Sequence, residues 1–311
     1  MKITLPILYG GVQFGAAERK AIDDVLDRNW WGLAEEGRKF ESELAHVQGV
    51  KHAIFVNSGS SALELGIAAL NLPNGSEVLI PACTFPTPIA SMVRSGLVPV
   101  VCDIDEQNFI APESIEASIS SNTKAILLVY VGGNVGRLDE VLAIAKKHDL
   151  IVIEDNCDGF GGTYKGKMLG SFGAFSAIST HAAHIISTGQ GGVLFTDIDD
   201  IATRVRAMRD WGRDLGFEGD EAIDKDLPVE YNRYTYTSLG YNLQPLELQA
   251  AMGRVQLQRL QEFKEKRREN WDMLRDGLCD VVETQVISED ADPCWHAFPV
   301  VVKKHDRAFV V

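Results

Sequence analysis

The chain has 311 residues and a formal net charge of −14, with 45% hydrophobic and 24% charged residues. This composition suits a globular protein with a large core and a second, smaller domain. It excludes a basic nucleic-acid-binding stripe, and no apolar run is long enough to span a membrane. Pro6, Gly10 and Gly11 interrupt the apolar start of the chain, so we expect a cytoplasmic protein.

The cysteines stand far apart in the sequence, at positions 83, 102, 157, 279 and 294. None belongs to a C-x-x-C pair and their number is odd. Neither a disulfide framework nor a cysteine metal site is therefore indicated. We predict that the protein has no metal centre.

After Gly15 the apolar spacing predicts amphipathic helices, the first over AAERKAIDDVLDRNWWG and the second over FESELAHVQGV. From Ala53 onward, short β-branched strands that are apolar on both faces alternate with helices. This pattern is typical of a parallel sheet covered by helices on each side, and hence of an α/β fold. The predicted strands are AIFVNS, EVLIPA, PVVCDID, AILLVYV, LIVIEDN, FSAIST and GGVLFTD.

The last third of the chain is predicted to contain a helix over DIATRVRAMRDWG, a loop over 213–238, and one long helix or two from Pro245. A strand-like FPVVVKK follows, and the sequence ends on the apolar AFVV. We therefore expect a smaller, incomplete C-terminal domain. The predicted divisions are an N-terminal arm over 1–14, a large domain over 15–245 and the small domain over 246–311.

One segment with possible chemistry is NSGSSALEL, residues 57–65, where a strand enters a Ser/Gly turn that opens a helix. Ser61 and Glu64 have the spacing of a capping box. Free N–H groups and the helix dipole make such a turn a phosphate site. A plain helix cap is the alternative interpretation.

In a second segment, IVIEDNCDGFGG, a strand end brings Glu154, Asp155 and Asp158 to the carboxyl edge of the sheet. Ligands of open α/β folds bind at this edge. An aspartate placed there can pair with a protonated pyridine nitrogen. A metal-binding turn or a solvated acidic turn would explain the same residues.

The third segment is STHAAHIISTGQGG, residues 179–192. Ser179 follows a strand and could donate to a phosphate. His184 lies on the next turn, and His181 is a possible second proton carrier. A single histidine is more often structural than catalytic, so the interest of His184 depends on the segments around it.

Together these segments resemble the DegT/DnrJ/EryC1/StrS sugar aminotransferases. The resemblance extends to WWGLAEEGRKFESELA, PACTFPTPIASMVRSGLVPVVCDID and GYNLQPLELQAAMGRVQLQRL. It implies the type I pyridoxal-phosphate (aspartate aminotransferase-like) fold, with a mostly parallel sheet in a large cofactor-binding domain and a smaller C-terminal domain.

The resemblance also implies cofactor contacts. Gly59, Ser60 and Ser179 correspond to ligands of the cofactor phosphate, and Phe85 to an aromatic residue that stacks on the pyridine ring. Asp155 matches the carboxylate that holds the ring nitrogen.

Two further positions carry implied roles. Asp158 stands where most members have glutamine near the ring hydroxyl. Asn242 matches the residue that reaches the cofactor phosphate of the neighbouring subunit. The resemblance therefore implies a homodimer with shared active sites.

His184 occupies the position of the family's Schiff-base lysine. An imidazole cannot hold the cofactor covalently, but it can move protons near neutral pH. This implies pyridoxamine phosphate bound without a covalent link, as in the sugar-nucleotide 3-dehydrases, whose STYPAH stretch resembles STHAAH. The implied reaction removes the 3-hydroxyl of a nucleotide-linked 4-keto-6-deoxyhexose in the biosynthesis of lipopolysaccharide deoxysugars.

The CDP-4-keto-6-deoxyglucose 3-dehydrase, which the chain also resembles, carries an iron–sulfur cluster on cysteines that follow its RDWGRD stretch. The corresponding RDLGFEGDEAIDKDLPVEYN has no cysteine, and clusters need thiolate ligands. We expect no cluster, with glutamate as the amino donor. Two alternatives stay open: an aminotransferase that uses Lys165 or Lys167, and a non-catalytic protein that binds the cofactor or a sugar nucleotide.

The remaining aromatic and basic residues have structural interpretations. Packing anchors are predicted at Trp30, Trp31 and Trp211, with contact to the substrate as the alternative. A solvated helix face is predicted for Arg206, Arg209 and Arg213, with contact to the nucleotide phosphates as the alternative. KEKRREN, residues 264–270, is predicted to be a charged helix surface.

Overall fold

The computed structural model describes residues 10–213 and 234–301. Its helices are α1 (Ala16–Asp27), α2 (Glu35–Gln48), α3 (Gly59–Ala69), α4 (Pro86–Arg94), α5 (Pro112–Ser118), α6 (Leu138–Lys147), α7 (Asp199–Arg209), α8 (Glu247–Gln258) and α9 (Leu260–Leu278). Its strands are β1 (His52–Val56), β2 (Glu77–Pro81), β3 (Val98–Cys102), β4 (Thr123–Val129), β5 (Ile151–Asp155), β6 (Thr163–Tyr164), β7 (Lys167–Met168), β8 (Phe175–Ser179), β9 (Gly192–Thr196), β10 (Glu283–Thr284), β11 (Ala291–Asp292) and β12 (Val300–Val301).

Seven strands form the central sheet, in the order β1-β9-β8-β5-β4-β2-β3. Neighbours from β8 to β3 are parallel, whereas β9 is antiparallel to both β1 and β8. The predicted mostly parallel sheet is therefore confirmed, with each predicted strand in place. Parallel strands bring their carboxyl ends to one edge, and this edge carries the site described below.

Both faces of the sheet are covered, which explains why its strands are apolar throughout. In β4, Leu127 packs into a core that also contains Leu63 of α3 and Val205 of α7. The next residue, Leu128, faces the opposite core, together with Val141 of α6. Side chains alternate along a strand, so each core takes every second residue.

Arg209 differs from the solvated residue predicted for it. It is fully buried, and its Nη1 donates to Glu41 Oε1 at 2.7 Å and to the Phe55 carbonyl at 2.8 Å. The buried turn of α7 faces the space between α2 and β1, so the guanidinium joins these elements. The prediction was wrong because the amphipathic pattern does not reveal where an ion pair is buried.

The region after Pro245 forms two helices, α8 and α9. The charged segment at 264–270 is not merely a surface, since Lys264 is buried and donates to the Gly161 carbonyl at 2.9 Å. The tryptophans predicted as packing anchors are 41–64% exposed in this chain: Trp30, Trp31 and Trp211. The predictions of a purely charged surface at 264–270 and of buried tryptophan anchors were therefore wrong for the single chain described here.

Parts of several predictions lie outside the described residues: most of the N-terminal arm, most of the cysteine-free stretch after RDWGRD, and the final AFVV. The three domain limits stay predictions. Among the described helices, none has an apolar stretch long enough to cross a bilayer.

Candidate active site

A pocket of about 640 Å³ opens where the carboxyl ends of β4, β5 and β8 meet the beginnings of α3 and α4. Seven of the eight predicted site residues line it: Gly59, Ser60, Phe85, Asp155, Asp158, Ser179 and His184. They come from four separate stretches of the sequence, and the sheet topology brings them together.

Asn242 is the predicted residue that does not line the pocket. It is exposed and pairs with Asp210 in an isolated antiparallel bridge. Its predicted role is in a neighbouring subunit, and that role stays a prediction.

The first turn of α3 forms one wall of the pocket. Ser58 caps this helix, because its Oγ accepts from the Ser61 N–H at 3.1 Å. The predicted capping box of Ser61 and Glu64 is wrong, since the Glu64 carboxylate pairs with Arg94 at 2.7 Å instead. The N–H groups in the first turn of a helix have no intrahelical acceptor, so this wall favours an anion.

Gly59 allows α3 to approach β8 closely. A Cβ at this position would lie 2.8 Å from the Ser179 Cβ, which is too short for two carbon atoms. Beside it, the Ser60 hydroxyl lies 3.2 Å from the hydroxyl of Thr87, which also lines the pocket. The helix terminus and the hydroxyls together fit a phosphate group.

The opposite side of the pocket offers an aromatic ring and a buried carboxylate. Phe85, the N-cap of α4, is 70% exposed, so its ring can stack on a planar ligand. Asp155 is buried at the end of β5, and burial raises its pKa to about 6, although hydrogen bonds from Cys157 oppose this. A buried carboxylate of this kind fits a cationic partner such as a protonated pyridine nitrogen.

Glu154 does not reach the pocket, contrary to the prediction for this acidic segment. It is fully buried and accepts from the Tyr130 hydroxyl at 2.6 Å. Its carboxylate also accepts hydrogen bonds from the backbone N–H groups of Gly170, Phe172 and Gly173. Neighbouring strand residues face opposite sides of a sheet, so of these two carboxylates only Asp155 lines the pocket.

His184 has a defined tautomer. Its Nδ1 lies 3.1 Å from the carbonyl oxygen of Cys157. A carbonyl can only accept, so Nδ1 carries the proton and Nε2 keeps its lone pair. Burial lowers the pKa of His184 to about 4, and the nearby His296 adds to this effect. The ring is therefore neutral at physiological pH and can accept a proton.

His296 is a site residue that the sequence analysis missed. Its ring is stacked on that of His184, with centroids 4.8 Å apart and planes 21° apart. Its Nε2 lies 3.6 Å from Asp158 Oδ1, and Asp158 Oδ2 accepts from the Gly132 N–H at 3.0 Å. No periodicity or motif marked this histidine, because it follows an irregular segment far along the chain.

Ligand atoms of Asp158, His184 and His296 lie within 4.8 Å of one another. A metal bound by two imidazoles lies in both ring planes, about 2 Å from each nitrogen. The two rings here are nearly parallel and stacked, so their lone pairs do not converge on a common point. In this arrangement the three side chains suit proton chemistry and not metal binding.

The described residues that line the pocket do not include a lysine. Lys165 binds Asp139 at the surface, with Nζ 2.5 Å from Oδ2. Lys167 lies over the ring of Phe172, with its Nζ 5.0 Å from the centroid. Neither lysine therefore occupies the position that an aminotransferase would require.

The model of the DegT/DnrJ/EryC1/StrS aminotransferase family matches residues 13–311. The dTDP-4-dehydro-2,6-dideoxy-D-glucose 3-dehydratase of Saccharopolyspora spinosa is 38% identical over 318 residues, which cover 96% of this chain and 69% of the relative.

Two solved structures are also similar. One is a GDP-4-keto-6-deoxymannose-3-dehydratase with a trapped PLP-glutamate geminal diamine, with a TM-score of 0.88, 30% identity and coverage of 97% of this chain and 81% of that one. The other is an aminotransferase from Psychrobacter cryohalolentis, with a TM-score of 0.85, 31% identity and coverage of 93% and 76%. Relatives of this chain thus include both dehydratases and aminotransferases.

Proposed function

Because the chain belongs to the DegT/DnrJ/EryC1/StrS aminotransferase family, we propose that it is a pyridoxamine-phosphate-dependent sugar-nucleotide 3-dehydratase. One observation carries this proposal. The pocket presents His184, with a free Nε2, and no lysine among its described lining residues. A base that cannot form a covalent link favours proton removal over amino transfer.

The cofactor would be held by the residues already described. The first turn of α3, with Gly59 and Ser60, and the hydroxyl of Ser179 would bind its phosphate. Phe85 would cover one face of its ring, and Asp155 would pair with the ring nitrogen. When bound, the cofactor supplies an electron sink that lets a carbon–oxygen bond break.

The residues of the chain have distinct tasks in this reaction. Asp155, which ionises when it pairs with a cation, would keep the ring nitrogen of a bound cofactor protonated and so preserve the electron-accepting state of the ring. With the cofactor bound, His184 Nε2 would be the base that removes a proton. The Cys157 carbonyl accepts from Nδ1 and holds the proton there, so Nε2 is the nitrogen that accepts a proton.

The proposed substrate is a nucleotide-linked 4-keto-6-deoxyhexose, and the proposed amino donor is glutamate. In balance, the sugar loses its 3-hydroxyl oxygen, glutamate becomes 2-oxoglutarate, and ammonia is released. The same class of substrate is named for the similar dehydratases. No reductase or iron–sulfur cluster enters this balance, because glutamate supplies the electrons.

The test is to incubate the protein with cofactor and glutamate, then with GDP-, CDP- and dTDP-linked 4-keto-6-deoxyhexoses. A product that lacks one oxygen atom, together with free ammonia, is expected. A sugar that gains an amino group without ammonia release would instead identify an aminotransferase. Cofactor binding without turnover of any of these sugars would favour a binding protein.

We also propose a homodimer, in a cytoplasmic location. Large apolar side chains are exposed at Trp31 and, next to Asn242 in the sequence, at Leu239 and Tyr241, with Leu239 94% exposed. Such a patch is typical of a protein–protein interface. Light scattering after size-exclusion chromatography should give twice the mass of the chain, and a monomer at micromolar concentration would refute the proposal.

A further inference from the structure

The rings of His184 and His296 are stacked on each other but have different polar neighbours. His296 faces the Asp158 carboxylate through Nε2 at 3.6 Å, and its Nδ1 is buried without a hydrogen-bond partner among the described residues. His184 is held through Nδ1 by the Cys157 carbonyl. The rings lie face to face, so neither can donate a hydrogen bond to the other.

Arg267 of α9 ties the two segments together. Its Nη1 donates to the carbonyls of Trp295, at 2.9 Å, and His296, at 3.3 Å. Its Nη2 lies 3.5 Å from the carbonyl of His184. The guanidinium therefore fixes the backbone of both histidines, which come from positions more than a hundred residues apart.

Electrostatics decides where a proton on this pair would reside. The charged or titratable groups that face the two rings are Asp158, His181 and Arg267. Two stacked imidazolium rings would repel each other, so an extra proton on one ring opposes protonation of the other. Asp158 is the acidic group among these three, and its carboxylate pairs with His296.

We propose that His296 is a positioning residue, which fixes the plane of the His184 ring and accepts the first proton added to the pair, so that His184 Nε2 stays free. The use of that free nitrogen in catalysis rests on the proposed function. The pairing itself does not, because it exists in the protein before any ligand binds. Burial lowers the pKa of both histidines, and Asp158 counteracts this for His296.

The test is a side-chain nitrogen NMR titration of the cofactor-free protein, with each imidazole assigned by substitution. In the wild-type chain, His296 should become protonated at a higher pH than His184. His296→Phe keeps a stacked ring but removes the competing charge, so His184 should bind protons about tenfold more tightly. His148→Phe, a histidine outside the pocket that pairs with Glu116, should leave the titration of His184 unchanged.

A second variant keeps the proposal testable if His296→Phe does not fold. In His184→Asn, His296 loses its stacked neighbour and should bind protons more tightly than in the wild-type chain. If His184 were protonated before His296, or if neither variant changed the remaining histidine, the positioning role would be refuted.

The titration also separates this inference from the proposed function. The two histidines could titrate as expected in a protein that does not dehydrate any of the three sugar nucleotides. This result would support the role of His296 and refute the dehydratase function. Dehydration by a protein in which His184 titrates independently of His296 would refute the pair alone.

Discussion

The Nδ1 of His184 lies 3.1 Å from the carbonyl oxygen of Cys157, and this contact leaves Nε2 of the same ring free to accept a proton. His184→Asn keeps a donor for the carbonyl but removes the base. We expect kcat to fall about 10²- to 10⁴-fold, with cofactor binding retained. Single-turnover dehydration and calorimetric titration with pyridoxamine phosphate would measure the two effects. Loss of binding and turnover together would contradict a purely basic role.

The pH dependence of catalysis should follow the lowered pKa of His184. The base acts in its neutral form, which is present above its pKa and lost as pH falls through it. Burial and His296 place this pKa at about 4, below the 6.5 of an ordinary histidine. The acid limb of kcat/KM, which reports the free enzyme, should therefore lie well below pH 6. If the acid limb of kcat/KM lay near pH 6.5, the ordinary pKa of histidine, the ring of His184 would be solvated and the explanation refuted.

The ionised side chain of Asp155 should lower the free energy of unfolding when no cationic partner is bound. Its pKa is raised from 3.8 to about 6, so the folded protein retains this proton while the unfolded chain releases it. Stability therefore falls as pH rises between these values, by about 3 kcal/mol in total. Asp155→Asn should raise the melting temperature of the cofactor-free protein at pH 7 and weaken cofactor binding. Lower stability of the variant at this pH would refute the explanation.

Gly59 should be intolerant of a methyl group, because a Cβ there would lie 2.8 Å from the Ser179 Cβ. Gly59→Ala should cost about 1–3 kcal/mol, as expected for overpacking, and should weaken binding of inorganic phosphate. Denaturant unfolding and phosphate titration would measure both effects.

The matched control is Gly277→Ala in α9, where a Cβ would meet nothing within 4 Å. This change should raise stability by about 0.5–1 kcal/mol, through helix propensity. Equal effects of the two substitutions would show that close approach at Gly59 is not the cause.

Glu154 should matter for folding and not for ligand binding. Glu154→Gln replaces an acceptor oxygen with an amide that faces donors, next to the Tyr130 hydroxyl and backbone N–H groups. We expect a loss of about 2–4 kcal/mol in the free energy of unfolding, measured in urea. The affinity of the folded protein for pyridoxamine phosphate should stay unchanged. A large change in affinity would place Glu154 in the site after all.

The sequence predicted the segments of the site better than the directions of their side chains. Asp155 and Glu154 are adjacent and chemically alike, yet one lines the pocket and the other is enclosed by backbone donors. Which of them faces the ligand depends on strand orientation within the sheet. Arg209 was misjudged for a similar reason, because its partner Glu41 is distant in sequence.

The sequence by itself determined the α/β alternation, the mostly parallel sheet and the short motifs, among them the one around His184, that resemble the family. These are local properties, written in the periodicity of side chains and in short motifs. Only the tertiary structure decided that His296 stacks on His184, that Cys157 sets its tautomer, and that Arg267 joins their backbones. Contacts between distant segments depend on how the chain packs, and no local pattern encodes that geometry.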